Sequence, residues 1–139
     1  MLGLPYNKHI RKGSLTNMIT SGLEDYLELI HNTISNNQTI KAIDIANKFN
    51  ISRSSVSEAL IRLADMDFII YEGRKGIKIT QKGIEQAEKI TKKHEILSNF
   101  FVKILGVDTI LANKNACKIE HVIDDELIEK IANYTTSHE

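Results

Sequence analysis

At 139 residues and 15.7 kDa, with 42% hydrophobic and 26% charged residues, the chain has globular proportions and room for one or two small domains. Lys and Arg (18) balance Asp and Glu (18), so no overall positive field draws the molecule to nucleic acid or an anionic membrane, and any basic surface is local. A single cysteine cannot close an internal disulfide, the N-terminal residues hold Lys8, His9, Arg11 and Lys12 instead of an apolar signal core, and no run approaches the roughly 20 apolar residues of a membrane span. These features point to a soluble cytoplasmic protein that engages no membrane.

Residues 1–17 lack steady periodicity and carry Gly3, Pro5, Gly13 and several basic side chains, the pattern of a flexible basic arm. Leu23, Tyr26, Leu27, Ile30 and Ile34 then recur at i, i+3, i+4, i+7 and i+11, which predicts an amphipathic helix capped by Thr20 or Ser21. Asn36, Asn37 and Gln38 break it. Ile43, Ile45, Ala46 and Phe49 predict a short second helix, Asn50 and Ile51 a turn, and Ser52 caps a third helix that carries Val56, Leu60 and Leu63 inward. Ala46 is small where two helices approach, and Asn50 tolerates a left-handed backbone, as a helix-turn-helix needs.

Phe68 to Tyr71 and Ile77 to Thr80 are β-branched or aromatic runs around a tip of Glu72, Gly73, Arg74, Lys75 and Gly76, which predicts a hairpin wing. A long helix follows from Gln81 to Leu105 with Ile84, Ala87, Ile90, His94, Leu97 and Phe101 on its stripe, ended by Gly106. A short helical segment is expected from Asp108 to Ala112, and a last helix carrying Ala116, Ile119, Ile123, Leu127 and Ile131. The expected fold is mostly α with a small β-hairpin: an arm (1–17), a winged helix-turn-helix (18–81) and a helical domain for dimerisation and metal binding (82–139).

The exposed N-terminal face of the third helix offers Arg53, Ser54, Ser55, Ser57 and Glu58, short polar groups suited to base edges in the major groove. Arg62 and the wing residues Arg74 and Lys75 stand where phosphates pass. Between Lys41 and Lys82, eight Lys and Arg face five Asp and Glu, a local excess inside a neutral chain. On an isolated helix such residues read as an ordinary solvated face. Joined to a basic wing, they read as a surface for duplex DNA.

A second constellation is of metal-ligand type. Asp25 and Glu28 lie three apart on the first helix and project together. An acidic pair in a first turn ordinarily serves the helix dipole. Cys117, Glu120 and His121 stand at i, i+3 and i+4, so on one helix thiol, carboxylate and imidazole share a face and reach one ion. His94 interrupts an apolar stripe, where a ring must find an interior partner. Hard oxygen ligands favour manganese or iron(II), whereas Cys117 pulls towards iron(II), cobalt or zinc.

The chain resembles the diphtheria toxin repressor family of metal-dependent regulators, and especially its small manganese-responsive branch, from about Thr20 to Tyr134. The resemblance rests on the segment Gly22 to Glu28, on Ser54-Ser55-Val56, on Ile79-Thr80 with Gly83, on Lys93 to Leu97, and on Ala116 to Val122. It implies a homodimer that binds a palindromic double-stranded DNA operator when loaded with a divalent metal, most often repressing metal-ion homeostasis genes. It also implies metal-ligand roles for Asp25, Glu28, His94, Cys117, Glu120 and His121. The manganese branch carries a carboxylate at the position of Cys117, whereas the iron branch carries cysteine there but lacks Asp25 and Glu28, so this chain mixes the two. Ser98 and Asn113 stand where the iron type has a carboxylate and a histidine, so the ancillary iron-type site is not expected as such.

Two rivals follow from the same residues. A metal-independent winged-helix regulator would answer a small molecule or an oxidant through Cys117. An enzyme would use the carboxylate and histidine cluster as a catalytic metal centre, or Cys117 and His121 as nucleophile and base. Side chains four apart on one helix are poorly placed to attack an outside carbonyl and no length remains for a separate substrate domain, so no catalytic residue is assigned.

Overall fold

The computed structural model describes residues 19–139, and the arm expected over residues 1–17 lies outside them. Thr20 starts the first helix, α1 (Ser21–Ser35): its backbone is extended and its hydroxyl accepts from the Leu23 amide at 3.3 Å. Leu23, Leu27 and Ile30 are buried along one face of α1, the stripe read from the spacing. The second helix, α2 (Ala42–Phe49), ends at Asn50, whose φ of 53° is left-handed, and the turn releases the chain into Ser52. The Ser52 hydroxyl accepts from the Ser55 amide at 3.1 Å and so begins α3 (Arg53–Asp65). Ile45, Val56, Leu60 and Leu63 are fully buried where α2 and α3 cross, which sets the angle of the helix-turn-helix.

The wing is an antiparallel pair, β1 (Ile69–Tyr71) and β2 (Ile77–Ile79), in register Ile69 to Ile79, Ile70 to Lys78 and Tyr71 to Ile77. Alternation puts Ile69 and Ile77 inward and leaves Ile70 and Lys78 outside. Between the strands, Gly73–Lys75 form a single 3-10 turn that presents Arg74 and Lys75 to solvent. These elements close over one apolar core that runs from Leu23 to Phe68, Ile77 and Ala87.

Thr80 then caps the long helix α4 (Gln81–Lys103): its hydroxyl accepts from the Gly83 amide at 3.0 Å and donates to the Asp67 carbonyl at 2.6 Å. Gly83 is the seat of the helix on the wing, since a Cβ there would stand 2.1 Å from the Phe68 carbonyl oxygen and 2.8 Å from Ile79 Cγ1. The helix ends before Gly106, whose φ of 70° only glycine adopts freely. Its far half packs Leu97 with Ala116 and Ile128 in a second, smaller core.

One expectation needs correction. The C-terminal segment is two helices, α5 (Thr109–Ile119) and α6 (Asp125–Ser137), separated by a tight turn at residues 120–124. The expected short segment therefore continues to Ile119, and the stripe from Ala116 to Ile131 is shared between two helices packed on one core. Two sets of contacts hold the break. The Val122 and Ile123 amides both donate to the Ile119 carbonyl, at 2.9 and 3.1 Å, and Lys93 of α4 donates to the Ile123 carbonyl at 2.9 Å while pairing with Asp125 at 2.8 Å.

Gly83→Ala is expected to lower stability by about 1–3 kcal/mol, as overpacking against a backbone carbonyl does. Thermal unfolding measures it; an unchanged midpoint would mean that α4 is not seated on Phe68.

Candidate metal centre and nucleic-acid face

The site lies where α1, the middle of α4 and the end of α5 meet, between the two cores. Helix α5 stops at Ile119, Glu120 is its C-cap and His121 follows in the turn, and the three residues expected on one helical face are divided. They form two neighbouring donor groups. His94, Cys117 and Glu120 make one, and Asp25, Glu28 and His121 the other, with the donor atoms of each within 4.8 Å of one another. All six sequence-derived candidates are thus brought together, though Cys117 and His121 do not share a group.

In the first group, His94 Nδ1 lies 2.7 Å from Glu120 Oε1 and 3.7 Å from Cys117 Sγ. In the second, His121 Nε2 lies 2.8 Å from Asp25 Oδ1. Glu120 joins them: its Oε2 stands 3.7 Å from His121 Nε2. Glu120 is 4% exposed and Glu28 half-buried, whereas the Asp25 side chain and Cys117 are exposed, so the carboxylates and the thiol crowd a space that water screens from one side only.

The electrostatics follow. Burial, then the carboxylate of Glu120, pushes the Glu28 carboxyl up to about 7. Burial opposes charge on His121, but Asp25, Glu24 and Glu120 outweigh it and the ring is more basic than usual. Burial and the carboxylates of Glu120, Glu28 and Asp25 push the Cys117 thiol up, the reverse of what a nucleophile or oxidant sensor needs. Mixed O, N and S donors, an excess of negative charge and protons held by burial and that excess fit a divalent cation.

The sequence reading passed over Glu24 and Gln86. Glu24 is buried; its Oε1 lies 3.1 Å from His121 Nδ1 and its Oε2 accepts from Gln86 Nε2 at 2.8 Å. A carboxylate flanking the apolar stripe of α1 was the available signal, but its partner 97 residues away was not.

At the other end, Arg53 begins α3 and Arg74 sits on the wing, and both line one cleft of about 390 Å³ with Lys41 and Ser57. Lys41 is a cation the sequence reading did not single out. Ser54, Ser55, Glu58, Arg62 and Lys75 are exposed. The hydroxyls of Ser54 and Ser55 lie 3.2 and 2.8 Å from Ser52 Oγ, within the helix cap.

Residues 18–77 match the family model described as the iron dependent repressor N-terminal DNA binding domain, and residues 80–138 match the iron dependent repressor metal binding and dimerisation domain. The chain belongs to the iron dependent repressor family. It is 40% identical over 114 residues to an uncharacterized HTH-type transcriptional regulator of Methanocaldococcus jannaschii, covering 81% of this chain and 91% of that one. It is 34% identical over 114 residues to the HTH-type transcriptional regulator MntR of Shouchella clausii, covering 82% and 79%. Among solved structures, the manganese regulator SloR superposes with a TM-score of 0.71 at 25% identity over 82% of this chain, which spans 53% of that protein's length. No helix among the described residues of this iron dependent repressor family chain is long and apolar enough to cross a membrane.

The raised values of Glu28 and His121 fix the sign of a pH effect. Both groups bind protons more tightly in the folded than in the unfolded chain, so their contribution is present at low pH and lost as pH rises through about 7 for Glu28. The metal-free protein is expected to become more stable as pH falls from 8 to 5.5, and Glu28→Gln to flatten that slope. Urea midpoints across this range measure it; a wild-type midpoint that falls with pH would contradict the crowding of charge.

Proposed function

We propose that the chain is a metal-activated transcriptional repressor that binds a palindromic operator as a homodimer. Residues 18–81 form its DNA-binding domain and residues 82–139 its dimerisation and metal-binding domain. The observation that carries the reading is the placement of the two donor groups: Asp25 and Glu28 ride on α1, which belongs to the core of the winged helix, whereas His94, Cys117, Glu120 and His121 belong to α4 and the end of α5. Bound there, a divalent ion supplies the positive charge that lets both sides be held at one spacing.

Each residue has its part in this reading. Asp25, Glu28 and His121 offer mainly oxygen donors, suited to manganese or iron(II), and His94, Cys117 and Glu120 add a sulfur that favours iron(II), cobalt or zinc. Manganese or iron(II) is the proposed activator. Arg53, Ser54, Ser55, Ser57 and Glu58 face base edges, while Arg62, Arg74 and Lys75 grip phosphates and position without specifying. Support for a second copy comes from the exposed Leu105, Ile110 and Leu111 around the α4–α5 junction, apolar groups that dimerisation would cover. Two recognition helices are needed because half-sites on one face of B-DNA recur about 34–36 Å apart.

The test is a competition titration of manganese, iron(II), cobalt and zinc on wild type and Cys117→Glu, with metal per chain and binding to candidate duplexes read together. Wild type is expected to bind duplex at least tenfold more tightly when loaded, and Cys117→Glu to keep metal but rank manganese higher, since carboxylate oxygen replaces sulfur. Equal duplex affinity with and without metal would refute metal activation, and an unchanged ranking would remove Cys117 from the site.

A further inference from the structure

Each imidazole of the two donor groups is also held from behind, by a residue that belongs to neither group. His121 turns Nε2 to Asp25 and Glu120, and its Nδ1 faces Glu24 Oε1 at 3.1 Å. Glu24 is 7% exposed and its other oxygen accepts from Gln86 of α4, so the carboxylate is fixed at both ends. His94 does the reverse. Its Nδ1 faces Glu120 and Cys117, and its Nε2 lies 3.2 Å from Asn113 Oδ1, which also accepts from the Ser98 hydroxyl at 2.8 Å.

With an ion in place, Asp25, Glu120 and Cys117 turn their lone pairs to it, so the oxygens of Glu24 and Asn113 are the acceptors left to each ring and the nitrogen facing them carries the hydrogen. A neutral imidazole has one such hydrogen, and the opposite nitrogen keeps its lone pair. We propose that Glu24 and Asn113 are positioning residues of the metal centre: Glu24 commits Nε2 of His121, and Asn113 commits Nδ1 of His94, to the ion. This rests on the metal-centre reading above. Partners on the far side of a ligating histidine fix both its tautomer and its ring plane, and their loss costs about 10- to 100-fold in metal affinity. Ser98 and Asn113, the positions where the sequence departs from the iron-type ancillary site, thereby acquire a use: they form a hydrogen-bonded support for His94.

The experiment uses the full chain with ¹⁵N-labelled histidine and zinc(II) as a diamagnetic probe, comparing wild type with E24L, E24Q, N113L and N113D. Wild type is expected to show metal-bound Nε2 at His121 and metal-bound Nδ1 at His94. The leucine variants should each lose about 10- to 100-fold in zinc affinity and the single-nitrogen pattern of their own histidine, leaving the other ring unchanged. E24Q and N113D keep an accepting oxygen and should keep the wild-type nitrogen, which separates positioning from damage to the fold. If the leucine variants keep affinity and pattern, or if E24Q and N113D lose as much as E24L and N113L, the positioning role is wrong while the metal centre stands. If wild type binds no zinc at either group, the metal-centre reading falls and this one with it.

Discussion

Asp25, Glu28 and Glu120 meet between two apolar cores, and that crowding of like charge is the constraint on which the rest of the structure turns. Two carboxylates about 4 Å apart at an effective dielectric near 20 repel by about 4 kcal/mol. The folded chain tempers this with what it has: His121 beside Asp25 and Glu120, a Glu28 carboxyl that burial and Glu120 hold in its protonated form up to about pH 7, and Glu24 tied back to Gln86. None of these cancels the excess. Apolar packing holds the groups close all the same, because Leu23, Leu27 and Ile30 on α1 and Leu97 and Ala116 beyond them are buried on either side.

The consequence for function is mechanical. Helix α1 is part of the core that positions α3 and the wing, and its two acidic residues reach across to groups fixed on α4 and α5. Lys89 and Lys93 pin Asp125, whose carboxyl is held near 2 by those two hydrogen bonds, and Lys93 also holds the Ile123 carbonyl, so the turn that carries His121 is clamped to α4. Gly83 and Thr80 seat the start of α4 against Phe68. In the proposed reading, a charge change at the donor groups acts at the joint where α1 meets α4 and the turn after α5, so that a local event can bias the arrangement of the winged helix.

Periodicity made the helix-turn-helix, the wing and the long helix legible, because each buries one stripe against a neighbour close in the chain. Asn50 and Ser52 were legible for the same reason, since a left-handed turn and a cap are local chemistry. The break at residues 120–124 was not. Ala116, Ile119, Ile123, Leu127 and Ile131 keep helical spacing across it, and one of the contacts that hold the turn, Lys93 donating to the Ile123 carbonyl, comes from 30 residues earlier. That break divides Cys117 from His121, so the six candidate ligands were readable and their grouping was not. Glu24 and Asn113 share this difficulty: hydrogen bonds to His121 and His94 give them their places, and only the folded chain brings those partners near.

The joint itself is most directly probed by amide hydrogen exchange of the full chain with and without saturating manganese. If charge at the donor groups is what loosens the contact between α1 and the α4–α5 body, manganese slows exchange by tenfold or more in the first turns of α1 and in the turn at residues 120–124, and leaves the α2–α3 crossing near its metal-free rate. Uniform exchange rates in α1 and that turn, with manganese bound, would contradict it.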